Sequence, residues 1–169
     1  MTSLRALFEW VNAFPSAVFL RESAYGFPSL LAGHVVGMLF FAGLIVMMDL
    51  RLIGLAHLDT PVSQMQKRLF PWQMLSLALA VVTGGVLLYS QPLRYWGKVF
   101  FWTKFAMMGL AGVNALGFHL TTYRSVARWD RDPVPPFRAR LAGVLSIVLW
   151  AAVVVFGRLT AYDWLTTPE

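Results

Sequence analysis

Four long stretches nearly free of formal charge limit what this chain can become. Ser23 to Met48 holds no charged residue, and its apolar core, Leu30 to Met48, is nineteen residues long. A helix of about twenty apolar residues covers the hydrocarbon of a bilayer. Leu69 to Leu93 is a second such run, Val99 to Tyr123 a third interrupted only by Lys104, and Leu141 to Gly157 a fourth that Arg158 can extend by snorkelling. None alternates apolar with polar residues, and each is too long for a strand, so membrane strands are not expected. The expected fold is all-α: an integral membrane four-helix bundle over residues 28–162, with spans near 28–52, 69–91, 99–123 and 139–162.

Composition agrees. Only 13% of the 169 residues are charged, against about 25% in a soluble domain. Cysteine is absent, which removes disulfides and thiolate metal sites. The net charge of +6 gathers at the ends of the apolar runs, where topology and anionic lipid explain it and nucleic acid is not expected as a partner. Residues 2–21 differ: Leu4, Leu7, Phe8, Val11 and Phe14 recur at helical spacing among Arg5, Glu9 and Asn12. That is an amphipathic helix ended or kinked by Pro15, lying in the interface or packed on the bundle.

Orientation follows from Lys and Arg near the span ends. Arg51, Lys67, Arg68, Arg124, Arg128, Arg131, Arg138 and Arg140 fall on one side; Arg5, Arg21, Arg94, Lys98 and Arg158 fall on the other. Both termini are therefore expected outside, in the periplasm for a bacterial inner membrane. The polar loop from Tyr123 to Arg140 reads as a solvated loop with interface anchors, or as a docking surface.

Ionisable groups within spans are costly, so their depths matter. His34 and Lys104 each lie about five residues into spans running the same way, so they share an outer layer. Asp49 follows His34 by fifteen residues and His119 follows Lys104 by fifteen, roughly 22 Å of helix rise, which makes an inner layer. Arg158 joins the outer layer; Arg51, Gln73 and, between the layers, Asn114 join the inner cluster. His34 and His119 thus cannot ligate one iron. A b-type haem would take His34 as metal ligand, with Lys104 and Arg158 binding its propionates or an uncharged Lys104 as sixth ligand. The plainer reading of His34 is a histidine hydrogen-bonded to a neighbouring helix. Asp49-Leu50-Arg51 reads as a helix-end ion pair. Gly33, Gly37, Gly43, Gly109, Gly112 and Gly117 either pack helix on helix or leave room for a flat cofactor. The adjacent pairs Met47-Met48 and Met107-Met108 fill apolar space or offer soft ligands to copper.

Two stretches carry a resemblance. His34, Gly43 and Asp49-Leu50-Arg51-Leu52-Ile53-Gly54, with Trp102-Thr103-Lys104 through Asn114 to His119, resemble a small bacterial family of uncharacterised four-helix inner-membrane proteins, from about Leu4 to Tyr162. His34 and Trp102-x-Lys104 are also similar to haem-containing membrane proteins of the protoporphyrinogen-oxidase type. That type has a histidine about eleven residues after the lysine, where this chain has Ala115. The Trp-x-Lys element is more loosely similar to the copper-resistance type of membrane domain. The expectation is a haem-binding redox or electron-transfer module exchanging electrons with quinone or a membrane or periplasmic partner. The alternative is a non-enzymatic subunit of a larger complex, or a small-solute or metal permease. Homo- or hetero-oligomers fit either reading.

Overall fold

The computed structural model describes residues 2–162, and every regular element in them is helical. In chain order these are α1 (Thr2–Asn12), α2 (Pro15–Glu22), α3 (Gly26–Ile53), α4 (Val62–Ser90), α5 (Pro92–Trp96), α6 (Val99–Leu120), a 3₁₀ turn (Tyr123–Arg128) and α7 (Phe137–Leu159). Helices α3, α4, α6 and α7 are each long and apolar enough to cross a membrane. Large apolar side chains such as Val36, Leu39, Val82, Val113 and Val148 stand exposed along them. A soluble monomer rarely tolerates such a surface, whereas a bilayer requires it. The protein is a multi-pass membrane protein.

Two boundaries differ from the apolar runs, for identifiable reasons. α4 begins at Val62, seven residues before Leu69, because its first turn is capped from far along the chain. The Ser63 N–H donates to Asp130 Oδ1 (2.7 Å), its hydroxyl donates to Oδ2 (2.6 Å), and the Val62 N–H donates to the Asp130 carbonyl (3.0 Å). No local pattern reveals a cap supplied by the loop between α6 and α7. Pro71 consequently lies inside α4, where it has no N–H to give the preceding turn. α6 stops at Leu120 because the Thr121 hydroxyl turns back to the Gly117 carbonyl (2.6 Å) and the chain leaves in the 3₁₀ turn.

α4 packs on α3, α3 on α7, and α7 on α6. Two glycines set the seams. A Cβ on Gly37 would sit 3.3 Å from Leu79 of α4, and one on Gly143 would sit 3.1 Å from the Asp49 carbonyl of α3. Of the other glycines expected to allow close approach, Gly33, Gly43, Gly109, Gly112 and Gly117 face open space. They do not bring helices together, because the seams fall on other helix faces. α4 and α6 have no comparable seam, so the bundle is an open arc of four helices rather than a closed ring.

The end of the bundle that carries the α3–α4 and α6–α7 loops, called the inner end after its expected orientation, is covered by the α6–α7 loop. Trp129 is buried there with Met48, Leu52, Val62, Met65, Phe118 and Ala139. Arg51, fully buried, ties the loops together: its Nε donates to the Thr60 carbonyl (2.8 Å) and Nη2 to the carbonyls of Asp130 (3.3 Å) and Asp132 (3.2 Å). The expected Asp49–Arg51 ion pair does not form, since residues two apart point to opposite sides of a helix. Gly54 turns the chain under this cover with φ 85°, a left-handed cap that returns N–H groups to the Leu50 and Arg51 carbonyls.

α1 and α2 lie across the outer end. Pro15 opens α2 at a position where its missing N–H costs nothing. Ala17 is fully buried, the Ser16 hydroxyl meets the Tyr89 hydroxyl (2.6 Å), and Phe8 packs against Trp96 (4.9 Å between rings). At the same end Lys98 Nζ donates to the Thr160 carbonyl (2.9 Å), joining α7 to the start of α6.

Candidate functional site

The space between α4 and α6 is divided into two stacked cavities. The outer one, of about 360 Å³, is lined by His34 and Met38 of α3, Gly84 of α4, Lys104 and Phe105 of α6, Gly157 of α7 and Thr160 just after it. The inner one, of about 460 Å³, is lined by Asp49, Gln66, Gln73, Asn114, His119 and Ser146 among apolar side chains. Phe41, Leu77, Met108 and Trp150 line both and form the wall between them. Phe41 meets Trp150 edge to face (4.7 Å).

In the outer cavity the hydrogen bonds define the state of His34. The Thr83 hydroxyl donates its proton to the Leu79 carbonyl (2.6 Å), so Thr83 Oγ1 can only accept from His34 Nδ1 (3.0 Å). In the neutral ring, Nδ1 therefore carries the hydrogen and Nε2 keeps its lone pair. Glycine accommodates both polar side chains: a Cβ on Gly84 would reach 2.9 Å from His34 Cε1, and one on Gly157 would reach 3.5 Å from Lys104 Nζ. Lys104 is partly buried and has no carboxylate within ion-pair distance among the described residues. It is near enough to His34 for the two to interact electrostatically. Arg158 stands apart from this pair, exposed and stacked over the Tyr162 ring (5.2 Å). Tyr95, at the rim, has its phenol pushed up from its usual range by burial, with Arg94 pulling the other way.

In the inner cavity the polar groups hold one another or the backbone. Gln73 Nε2 donates to the Leu44 carbonyl (3.2 Å), and Asn114 Nδ2 to the Ala142 carbonyl (2.9 Å), so both amides are fixed across helix pairs. His119 Nδ1 donates to the Ala115 carbonyl (2.9 Å), which leaves Nε2 to accept from Gln66 Nε2 (3.3 Å). That last bond closes the inner end of the gap between α4 and α6. Asp49 is 5% exposed, lies beside Ser146, and has an Oδ2 atom with no hydrogen-bond partner. Arg51 does not reach this cavity; it serves the loops.

The four residues Asp49, Gln73, Asn114 and His119 thus share one cavity, and His34 and Lys104 share the other. Gln66 and Ser146 are additional members. Gln66 precedes Gln73 by seven residues, two helical turns, a spacing that marks one face; it fell outside the apolar run that defined the second span. Among the described residues no group of three or more His, Asp or Glu side chains is placed to hold a metal ion.

Comparison with curated proteins returned no match, and comparison with solved structures returned none. Residues 8–163 match a family of unknown function, DUF6644, a stretch that includes all four membrane helices and both cavities, and the chain belongs to that family.

Proposed function

We propose that this membrane protein is a b-type haem-binding redox module, in which His34 Nε2 would hold the iron and Lys104 would partner a propionate. The observation that carries the reading is the His34–Thr83–Leu79 chain of hydrogen bonds. It assigns the Nδ1 hydrogen and leaves a lone pair on Nε2, the arrangement by which proteins prepare a histidine for metal. A lysine in the same cavity with no carboxylate in ion-pair distance among the described residues supports it, because a propionate would supply an anion there. Uncharged, Lys104 would instead be a second residue able to hold the iron. Arg158, at the outer surface, is left to meet a propionate that reaches the rim. The cavity volume lies within the range of small-molecule sites. A bound haem would supply a one-electron couple; the chain's own part is to hold the iron, neutralise the propionates and exclude water. Quinone or a membrane or periplasmic redox protein would exchange the electrons.

The same reading sets the protein in a bacterial inner membrane with both termini periplasmic. The support is the excess of Lys and Arg in the two loops at the inner end. Adding haem to the purified, haem-free protein should develop a Soret band with one-to-one stoichiometry. Failure to develop one would leave the non-enzymatic subunit or permease as the surviving account.

A further inference from the structure

The inner cavity has features that the haem reading does not use. It is the larger of the two, and apolar surface dominates its walls, with Phe41, Phe118 and Trp150 among them. Phe70 of α4 and Leu116 of α6 line it and are also exposed on the bundle's flank. Its mouth therefore lies between α4 and α6 and faces the bilayer. Most of its polar groups are already engaged. The exception is Asp49, a residue 95% buried: Ser146 meets its carboxyl group, and its Oδ2 has no hydrogen-bond partner among the described residues.

An unpartnered carboxylate oxygen within a bilayer is expensive to keep. A leucine at Asp49 would suit the surroundings better if packing were the only requirement. A ligand reaching this oxygen must arrive through lipid, fit between aromatic walls and bring an O–H donor. We infer that the inner cavity is a laterally accessed site for a lipid-soluble hydroxy-aromatic molecule of the hydroquinone class, whose ring hydroxyl donates to Asp49 Oδ2. Ser146, beside the carboxylate, and the fixed amides of Gln73 and Asn114 hold the polar end of the site in place. Neither a haem nor any redox step is needed for this binding.

The test uses the full chain in phosphatidylcholine nanodiscs, with calorimetric titration of a short-chain benzoquinol and of its dimethyl ether. The two probes share the ring and tail, but the ether has no O–H to donate and is the more lipophilic, so partition alone would favour the ether. The wild type should bind the quinol at least about tenfold more tightly than the ether, the worth of one hydrogen bond. Asp49→Leu should abolish that preference while keeping or raising the melting temperature, and Asp49→Asn, which retains an acceptor, should keep most of it. Leu116→Trp, which narrows the mouth, should weaken both probes. Equal affinity for quinol and ether, or an undiminished preference in Asp49→Leu, would overturn the inference. So would tighter binding of dodecylamine than of quinol, which would assign the site to a cationic amphiphile. The readout is heat, so failure here and failure of the haem reading are separate results.

Discussion

Gly84 of α4 lies directly against the His34 ring of α3, so close that a Cβ there would come within 2.9 Å of Cε1. The absence of a side chain at Gly84 is what lets the imidazole reach Thr83, one residue earlier on the same helix, and keep its Nε2 lone pair.

Gly84→Ala should therefore displace the ring and weaken haem retention, measured as Soret absorbance per protein, by about tenfold, the worth of a lost orienting partner of a metal ligand. Gly33→Ala, next to His34 in sequence but facing open space, should leave absorbance within experimental error.

Lys104 gives a second test because no carboxylate among the described residues lies within ion-pair distance of it. Lys104→Met removes a costly charge from the bundle and should leave the melting temperature unchanged or higher. If a propionate is its partner, the same variant should bind haem about tenfold more weakly. A variant with unaltered haem affinity would return Lys104 to a packing role.

The cover at the inner end depends on Arg51, whose guanidinium serves three backbone carbonyls in two loops. Arg51→Met should cost about 3 kcal/mol and expose the Tyr123–Arg140 loop to limited proteolysis. Asp130→Ala should cost about 1–2 kcal/mol by uncapping α4, whereas Asp132→Ala should cost less, since Arg51 hydrogen-bonds only the backbone of that residue and meets its carboxylate through charge alone. Thermal unfolding in one detergent compares all three.

Because the chain has no cysteine, single replacements report orientation cleanly. Ala24→Cys and Ala127→Cys fall on exposed residues at opposite ends of the bundle. In intact cells a membrane-impermeant maleimide should label the first and spare the second. The reverse pattern would invert the proposed topology.

How much of this was legible in the sequence varied with the range of the interaction responsible. The four spans were, because hydrocarbon thickness sets the length of an uncharged run. The separation of His34 and Lys104 from Asp49 and His119 followed from rise per residue, and the structure divides these residues between two cavities at opposite ends of the shared wall. The α4 cap on Asp130, the Arg51 knot and the gap between α4 and α6 were not legible. Each depends on which segments meet across 67 or more positions of chain, or on which helix pair is left without a seam. Arg158 shows a related limit: depth alone grouped it with His34, but rotation about the helix axis turned it outward over Tyr162. Tyr123, beside the same cover, has its phenol pushed up by burial and by Asp130, another effect of loop packing that local sequence does not show.

The most direct measurement is the reduced-minus-oxidised visible spectrum of the protein purified from cells with full haem supply. The account predicts a Soret and α-band difference in the wild type, its loss in His34→Ala, and its retention in His119→Ala, whose ring belongs to the other cavity. A wild type without any difference signal, or a signal abolished by His119→Ala and kept by His34→Ala, would contradict it.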